Sequence, residues 1–286
     1  MKGPKTHFAR RACSLLILLL AAAPAAWGQA SAYVANFSSD NASVIDTSTN
    51  TVIATIALGT FPYGVAVGSS RAYVTNVSSG NVSVIDTSTN TVTATVTVGT
   101  GPRGVAVSGS RAYVANGALG NMSVIDTSTN TVTATVTVGL GPTGVAVSGS
   151  RAYVANLNSD NVSVIDTSTN TVTATVAVGS NPFGVAVSGS RAYVANSGSD
   201  NVSVIDTSTN TVTATVTVGS SPRGVALSDD ASRAYVANTS SGNVSVIDTS
   251  TNTVTATVTV GSSPISLGDF VGPGAVPVEL QSFAVD

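Results

Sequence analysis

Apolar and polar positions change over in short runs along almost the whole chain, and nothing beyond the first thirty residues keeps a helical period. Residues 142–180 show the pattern in full. Pro142 and Gly144 open a Gly-Val-Ala-Val run (144–147), Ser148, Gly149 and Ser150 make a tight turn, and Arg151–Asn156 form a second run. A loop (157–160) leads to a third run (161–166), a turn at 167–170, and a fourth run (171–179). Val, Ile, Thr and Tyr fill the runs, and Gly, Pro, Asn, Asp and Ser bound them, which predicts four antiparallel strands joined by hairpins.

The same unit recurs six times over residues 31–268. Its Tyr-Val-Ala/Thr-Asn string starts at Tyr33, Tyr73, Tyr113, Tyr153, Tyr193 and Tyr235, and Ile-Asp-Thr-Ser-Thr-Asn starts at Ile45, Ile85, Ile125, Ile165, Ile205 and Ile247. The spacing is 40 residues, stretched to 42 in the last step by two residues near the 229–232 turn. Four hairpin-linked strands at this period predict an all-β propeller of six four-stranded blades over residues 29–268. A parallel β-helix is the competing solenoid; unequal half-repeats and two- to three-residue Ser-Gly-Ser turns count against it. The array also starts at a second strand (32–36) and ends after a lone first strand (264–268), so joining the two would close the ring.

Composition narrows the chemistry. Residues 1–28 read as a secretory signal peptide: Lys2, Lys5, Arg10 and Arg11 precede an apolar run from Ala12 to Ala22, and Ala26 and Gly28 suit cleavage. Pro24 interrupts the run, which is short for a membrane span, so no transmembrane segment is expected after cleavage. The only Cys, His and Trp (Cys13, His7 and Trp27) and both lysines lie in this leader. Residues 29–286 hold seven arginines and fourteen acids, a net charge of −7, which disfavours nucleic acid as a partner. Without His, Cys or Lys there is no triad, thiol nucleophile or Schiff-base amine, so no catalytic residue and no cofactor is expected.

The repeated Asp46, Asp86, Asp126, Asp166, Asp206 and Asp248 read as caps of the turn after the third strand. Asp40, Asp160 and Asp200 are the remaining oxygen donors for calcium, but their spacing is too sparse for a calcium loop, and no metal site is assigned. The repeated arginines Arg71, Arg111, Arg151, Arg191 and Arg233, with Ser31 in their place in the first copy, read as solvated hairpin flanks. The repeated tyrosines are expected between blades with their hydroxyls satisfied.

Two loops vary among the copies while the strands hardly do. One follows the second strand and carries Phe37, Val77, Leu119 and Leu157; the other links blades and carries Phe61 and Leu140 as well as the residue after its proline. That last position is Tyr63, Arg103, Thr143, Phe183, Arg223 and Ile265 in the six copies. Alternate turns of a meander share an end, so both loops fall on one face of the disc, and the six post-proline residues are expected to ring the mouth of the central channel. Two arginines and two aromatics there suit a carboxylate-bearing or glycan ligand.

The Tyr-Val-Ala/Thr-Asn string, the following Val-Ser-Val-Ile-Asp-Thr-Ser-Thr-Asn-Thr-Val and the Val-Gly-x-x-Pro-x-Gly-Val-Ala-Val linker resemble the YVTN-type β-propeller repeat over residues 32–268. The resemblance implies an exported or surface-layer-like bacterial or archaeal protein, most relatives having no defined activity and often seven blades. Residues 276–283, within a tail of 269–286, are similar to a linker that precedes C-terminal secretion modules in some exported bacterial proteins. The expectation is a secreted, periplasmic or cell-surface module that binds a cell-envelope protein or a glycan. A calcium-assisted propeller lyase or lactonase is the enzyme alternative, and recent duplication with little selected function a third reading.

Overall fold

The computed structural model describes residues 31–265. The leader, the tail and residues 266–268 of the proposed closing strand therefore lie outside the described residues. Five antiparallel sheets have four strands each, in chain order, and a sixth has three, Ser31–Asn36, Asn41–Asp46 and Thr51–Ala57. The arrangement is a six-bladed β-propeller. Blade four runs Pro142–Ser148, Arg151–Asn156, Asn161–Asp166 and Thr171–Ala177 from the axis outward. Inner strands thus begin at the proline, two residues before the Gly-Val-Ala-Val run, and the outer strand stops two residues earlier than its pattern suggests. Among the described residues no helix is long and apolar enough to cross a membrane.

Blades cohere through their faces. Tyr113, Met122 and Val124 of blade three pack on Val145, Val154 and Ile165 of blade four, and the same positions recur at the next junction. At the axis the strands are so close that only glycine fits. A Cβ on Gly144 would stand 2.5 Å from the Phe183 carbonyl oxygen, and one on Gly184 2.5 Å from that of Arg223. The asparagine ending each second strand, buried in all copies but the first, explains another part of the repeat. Asn156 Nδ2 donates to Asn161 Oδ1 (2.8 Å) and Ser163 Oγ (2.9 Å), and its side chain packs where a Cβ on Gly139 would be. The absence of side-chain bulk at Gly139 leaves room for this buried amide, whose Nδ2 is fully bonded while its Oδ1 is buried without a hydrogen-bond partner.

The face bearing the Ser-Gly-Ser and Thr-Ser-Thr-Asn turns is built from one repeated device. Asp206 Oδ1 accepts the Ser208 N–H (2.8 Å), the Ser208 hydroxyl (2.6 Å) and the Thr209 N–H (3.0 Å), and the other five repeated aspartates cap their turns likewise. These bonds, the Ser208 hydroxyl first, hold the Asp206 carboxyl down to about 2. The repeated arginines are not solvated flanks. Arg71, Arg111, Arg151 and Arg191 each donate from Nη1 to the carbonyl of Thr127, Thr167, Thr207 or Thr249 in the next blade. A half-buried guanidinium spans the gap between two blades, so the residue is an inter-blade strap; Arg233 of the sixth copy is exposed. The tyrosine expectation holds in part. Tyr33 donates to Asn90 Oδ1 (2.7 Å) of the next blade, whereas the Tyr193 hydroxyl is buried without a partner.

Candidate functional site

The two variable loops do share the opposite face, and backbone bonds lace them together. The linker entering blade two gives its Thr60 N–H to Ser79 Oγ (2.8 Å), and its Phe61 carbonyl accepts from Val77 N–H (3.0 Å). On its other side the Phe61 N–H donates to Asp40 Oδ1 of blade one (2.8 Å). Asp160 and Asp200 accept the N–H of Asn181 and Ser221 in the same way, each at 2.8 Å. The three carboxylates read as oxygen donors for calcium are therefore turn clamps on three separate linkers. Among the described residues no three acidic, His or Cys side chains come together as a metal site.

The post-proline residues follow one another around the axis, because Gly64, Gly104, Gly144 and Gly184 of the inner strands each abut the next blade's post-proline carbonyl. They do not form an even ring. Tyr63, Arg103 and Arg223 are half-buried, whereas Thr143 is fully buried and Phe183 is 5% exposed. Thr143 is a backbone clip: its hydroxyl donates to the Phe183 carbonyl oxygen (2.8 Å). In blade two Thr75, alone among the Tyr-Val-x-Asn copies in having a hydroxyl, does the same for Arg103. It donates to the Arg103 carbonyl oxygen (2.6 Å) and accepts from Gly64 N–H (2.8 Å). Phe183 lies under the Arg223 guanidinium, whose carbon is 5.3 Å from the ring centroid. Thr143 and Phe183 are thus support rather than contact surface: the first clips a backbone carbonyl and the second lies beneath a guanidinium. Ile265 is exposed, at the edge of the described residues.

An aromatic group stands beside the mouth. Phe37 stacks on Phe61 with centroids 4.7 Å apart and planes 9° apart, and meets Tyr63 edge-on at 5.9 Å. Phe37 and Phe61 are 43% and 40% exposed. Phe61 also holds a left-handed φ of 57°, which a bulky side chain seldom adopts. Burial raises the Tyr63 hydroxyl above its usual range, and the charges of Arg103 and Arg223 act on it in the opposite sense. Arg103 also lies against the second-strand loop of its own blade, where a Cβ on Gly117 would be 3.0 Å from its Nε. The other loop candidates are dispersed, Val77 and Leu157 half-buried and Leu119 exposed. A cavity of about 260 Å³ opens on the opposite face beside Arg71, Tyr73 and Thr127, where the arginine is already committed to its strap.

These features define a propeller with one nearly uniform face and one face whose loops carry bulky, copy-specific side chains. No family model matches the sequence, and no curated protein matches it significantly. Solved structures do match. Hydrazine synthase of Kuenenia stuttgartiensis superposes with a TM-score of 0.75 at 22% identity, over 82% of this chain and 85% of that one. A protein of unknown function from Desulfotomaculum acetoxidans DSM 771 gives 0.69 at 20% identity, over 82% and 80%. At these identities the likeness is one of fold.

Proposed function

We propose that the chain is an exported β-propeller that serves as a non-catalytic binding or cell-surface structural module, contacting a cell-envelope protein or glycan through its loop-and-linker face. The observation that carries this reading is the stacked Phe37–Phe61 pair with Tyr63 edge-on beside it, on the face whose linkers also carry Arg103 and Arg223. The opposite face spends its repeated side chains on turn caps and straps. Exposed aromatics next to arginine are typical of contact surfaces. The signal-like leader and the YVTN-type resemblance support export and a surface setting.

The test is capture of envelope extract by the purified protein. A Phe37→Ser, Arg103→Gln, Arg223→Gln triple variant keeps its melting temperature within a few degrees and loses capture. A Ser110→Arg, Ser150→Arg variant, altered on the opposite face, keeps capture. Loss in the second variant and retention in the first would show that the wrong face was chosen.

A further inference from the structure

The aromatic group of the first copy is one contiguous surface, and a carboxylate belongs to it. Phe37 and Phe61 stack with centroids 4.7 Å apart and planes 9° apart, and Tyr63 meets Phe37 edge-on. Asp40 ends the loop that Phe37 begins, and its Oδ1 accepts the Phe61 N–H at 2.8 Å. The carboxylate is thus anchored at the backbone of the very residue whose ring stacks on Phe37. Asp40 is exposed, and its second oxygen has no hydrogen-bond partner among the described residues.

The clamp does not need the rings. Asp160 and Asp200 make the same bond to Asn181 and Ser221. In the fifth copy Ser197 and Ser221 stand where the first has Phe37 and Phe61. In the second and third linkers glycine, Gly101 and Gly141, takes the left-handed position that Phe61 holds at a φ of 57°. Smaller residues therefore serve the same loop and linker, and Phe37 and Phe61 remain 43% and 40% exposed, so packing does not account for the two rings. A bulky side chain kept in a strained, exposed conformation points to contact with a ligand.

We infer that this surface binds an uncharged saccharide with equatorial hydroxyls, one pyranose ring adding its C–H face to the Phe37–Phe61 column while a hydroxyl donates to Asp40 Oδ2. The inference rests on the reading of this face as the binding face and narrows its ligand to a neutral glycan. Parallel rings beside an acceptor-only carboxylate complement a flat apolar face that is rimmed by donors. An ammonium group would suit the carboxylate, but an aromatic cage turns its ring faces towards one point, and these two rings cover each other. An anionic ligand would meet the Asp40 charge on a chain whose residues 29–286 carry a net −7. An apolar peptide side chain would use the rings and leave the carboxylate oxygen desolvated without a donor.

The experiment is titration calorimetry of the purified full chain with cellotetraose, whose equatorial hydroxyls leave both ring faces to C–H groups. Its comparators are the permethylated tetramer, the tetramer oxidised to carboxylates at C6, and tetralysine. Cellotetraose binds at least fivefold tighter than each comparator, with an affinity that salt hardly changes. Phe61→Ser weakens it at least fivefold, and so does Asp40→Asn, which keeps an acceptor for the Phe61 N–H. A Phe37→Ser, Phe61→Ser variant gives this loop and linker the serines of the fifth copy, so it keeps its melting temperature within a few degrees and loses binding. Equal binding of any comparator, unchanged binding by the variants, or no binding of cellotetraose each overturns the inference. Envelope capture separates the two levels. If cellotetraose fails while the double-serine variant loses capture, the ligand class is wrong and the face is right; if cellotetraose fails and that variant still captures, the face itself is wrong.

Discussion

Replacing Gly144 with alanine probes the close approach that gathers the mouth residues. The added Cβ would stand 2.5 Å from the Phe183 carbonyl oxygen and 3.1 Å from Gly184 Cα and Val185 N. Ordinary contact begins near 3.4 Å, so the inner strands of blades four and five must part by about 1 Å in a region with no free space. Overpacking of this kind costs about 1–3 kcal/mol, and the reduced freedom of the unfolded chain offsets roughly 0.4–1 kcal/mol of that. A net loss of about 1–2 kcal/mol lowers the melting temperature by roughly 2–8 °C for a domain of this size. Gly149 of the same blade is the internal control, because nothing lies within 4 Å of its would-be Cβ and its φ is 56°. Asparagine adopts that conformation at Asn90 and Asn130, so Gly149→Asn changes stability by less than about 0.5 kcal/mol. Differential scanning calorimetry of the two variants beside the parent decides the matter. A Gly144→Ala protein that melts with the parent, or no lower than Gly149→Asn, would refute the tight axis and with it the crowding that buries Thr143 and Phe183.

Deleting residues 262–286 should lower the melting temperature by roughly 4–8 °C, because among the described residues the first blade has three strands where the other five have four, and the repeat pattern assigns the fourth to 264–268; an unchanged value would remove the terminal segment from ring closure. Stability should also fall in acid. The turn aspartates titrate below their ordinary value near 3.8 in the folded protein, Asp206 at about 2. Their contribution is therefore present above about pH 4 and is lost as pH falls towards 2. Urea midpoints at pH 6, 4 and 2.5 should decline in that order, and Asp206→Asn should shrink the difference; a flat series would show that the caps are not coupled to folding.

Strand positions were legible because their signals are local: alternating apolar residues, turn glycines and the Pro-x-Gly entry each act within a few residues. Roles that depend on closing the ring were not. Arg151 beside a Gly-Ser turn looks solvated until the next blade brings Thr207, 56 residues away, to its guanidinium. Thr143 and Phe183 occupy the same repeat position as Arg103 and Arg223, and only burial in the folded ring separates them. The Asn156, Asn161 and Ser163 network gives no local signal, because its meaning lies in the pairing of two strands. The Asn-Val-Ser triplets beginning at Asn81, Asn161, Asn201 and Asn243 open the third strands of their blades. In the fold their amide and hydroxyl groups hold the preceding strand's buried asparagine.

Six copies of one unit also reveal how an aromatic group is admitted to a strained position. The residue before each linker proline takes a left-handed φ, and so does the last residue of the second-strand loop in the preceding blade. Where that loop ends in Gly80 or Gly120, the linker position is also glycine, Gly101 or Gly141. Where it ends in Asp40, Asp160 or Asp200, the linker residue is Phe61, Asn181 or Ser221, and the carboxylate accepts its N–H at 2.8 Å. The sixth copy, Gly242 with Ser263, departs from this pairing. A side chain in the left-handed region costs about 1–2 kcal/mol, and a hydrogen bond to a charged group contributes about the same. The clamp thus offsets the strain, and it does so most consequentially at Phe61, whose ring would otherwise have no favoured backbone to stand on. Asp40 and Phe37 lie in one loop, and Phe61 and Tyr63 in the linker clamped to it. The aromatic surface at the mouth is therefore a single connected departure of the first copy from its own repeat, held in place by a carboxylate that a search for metal ligands would have claimed.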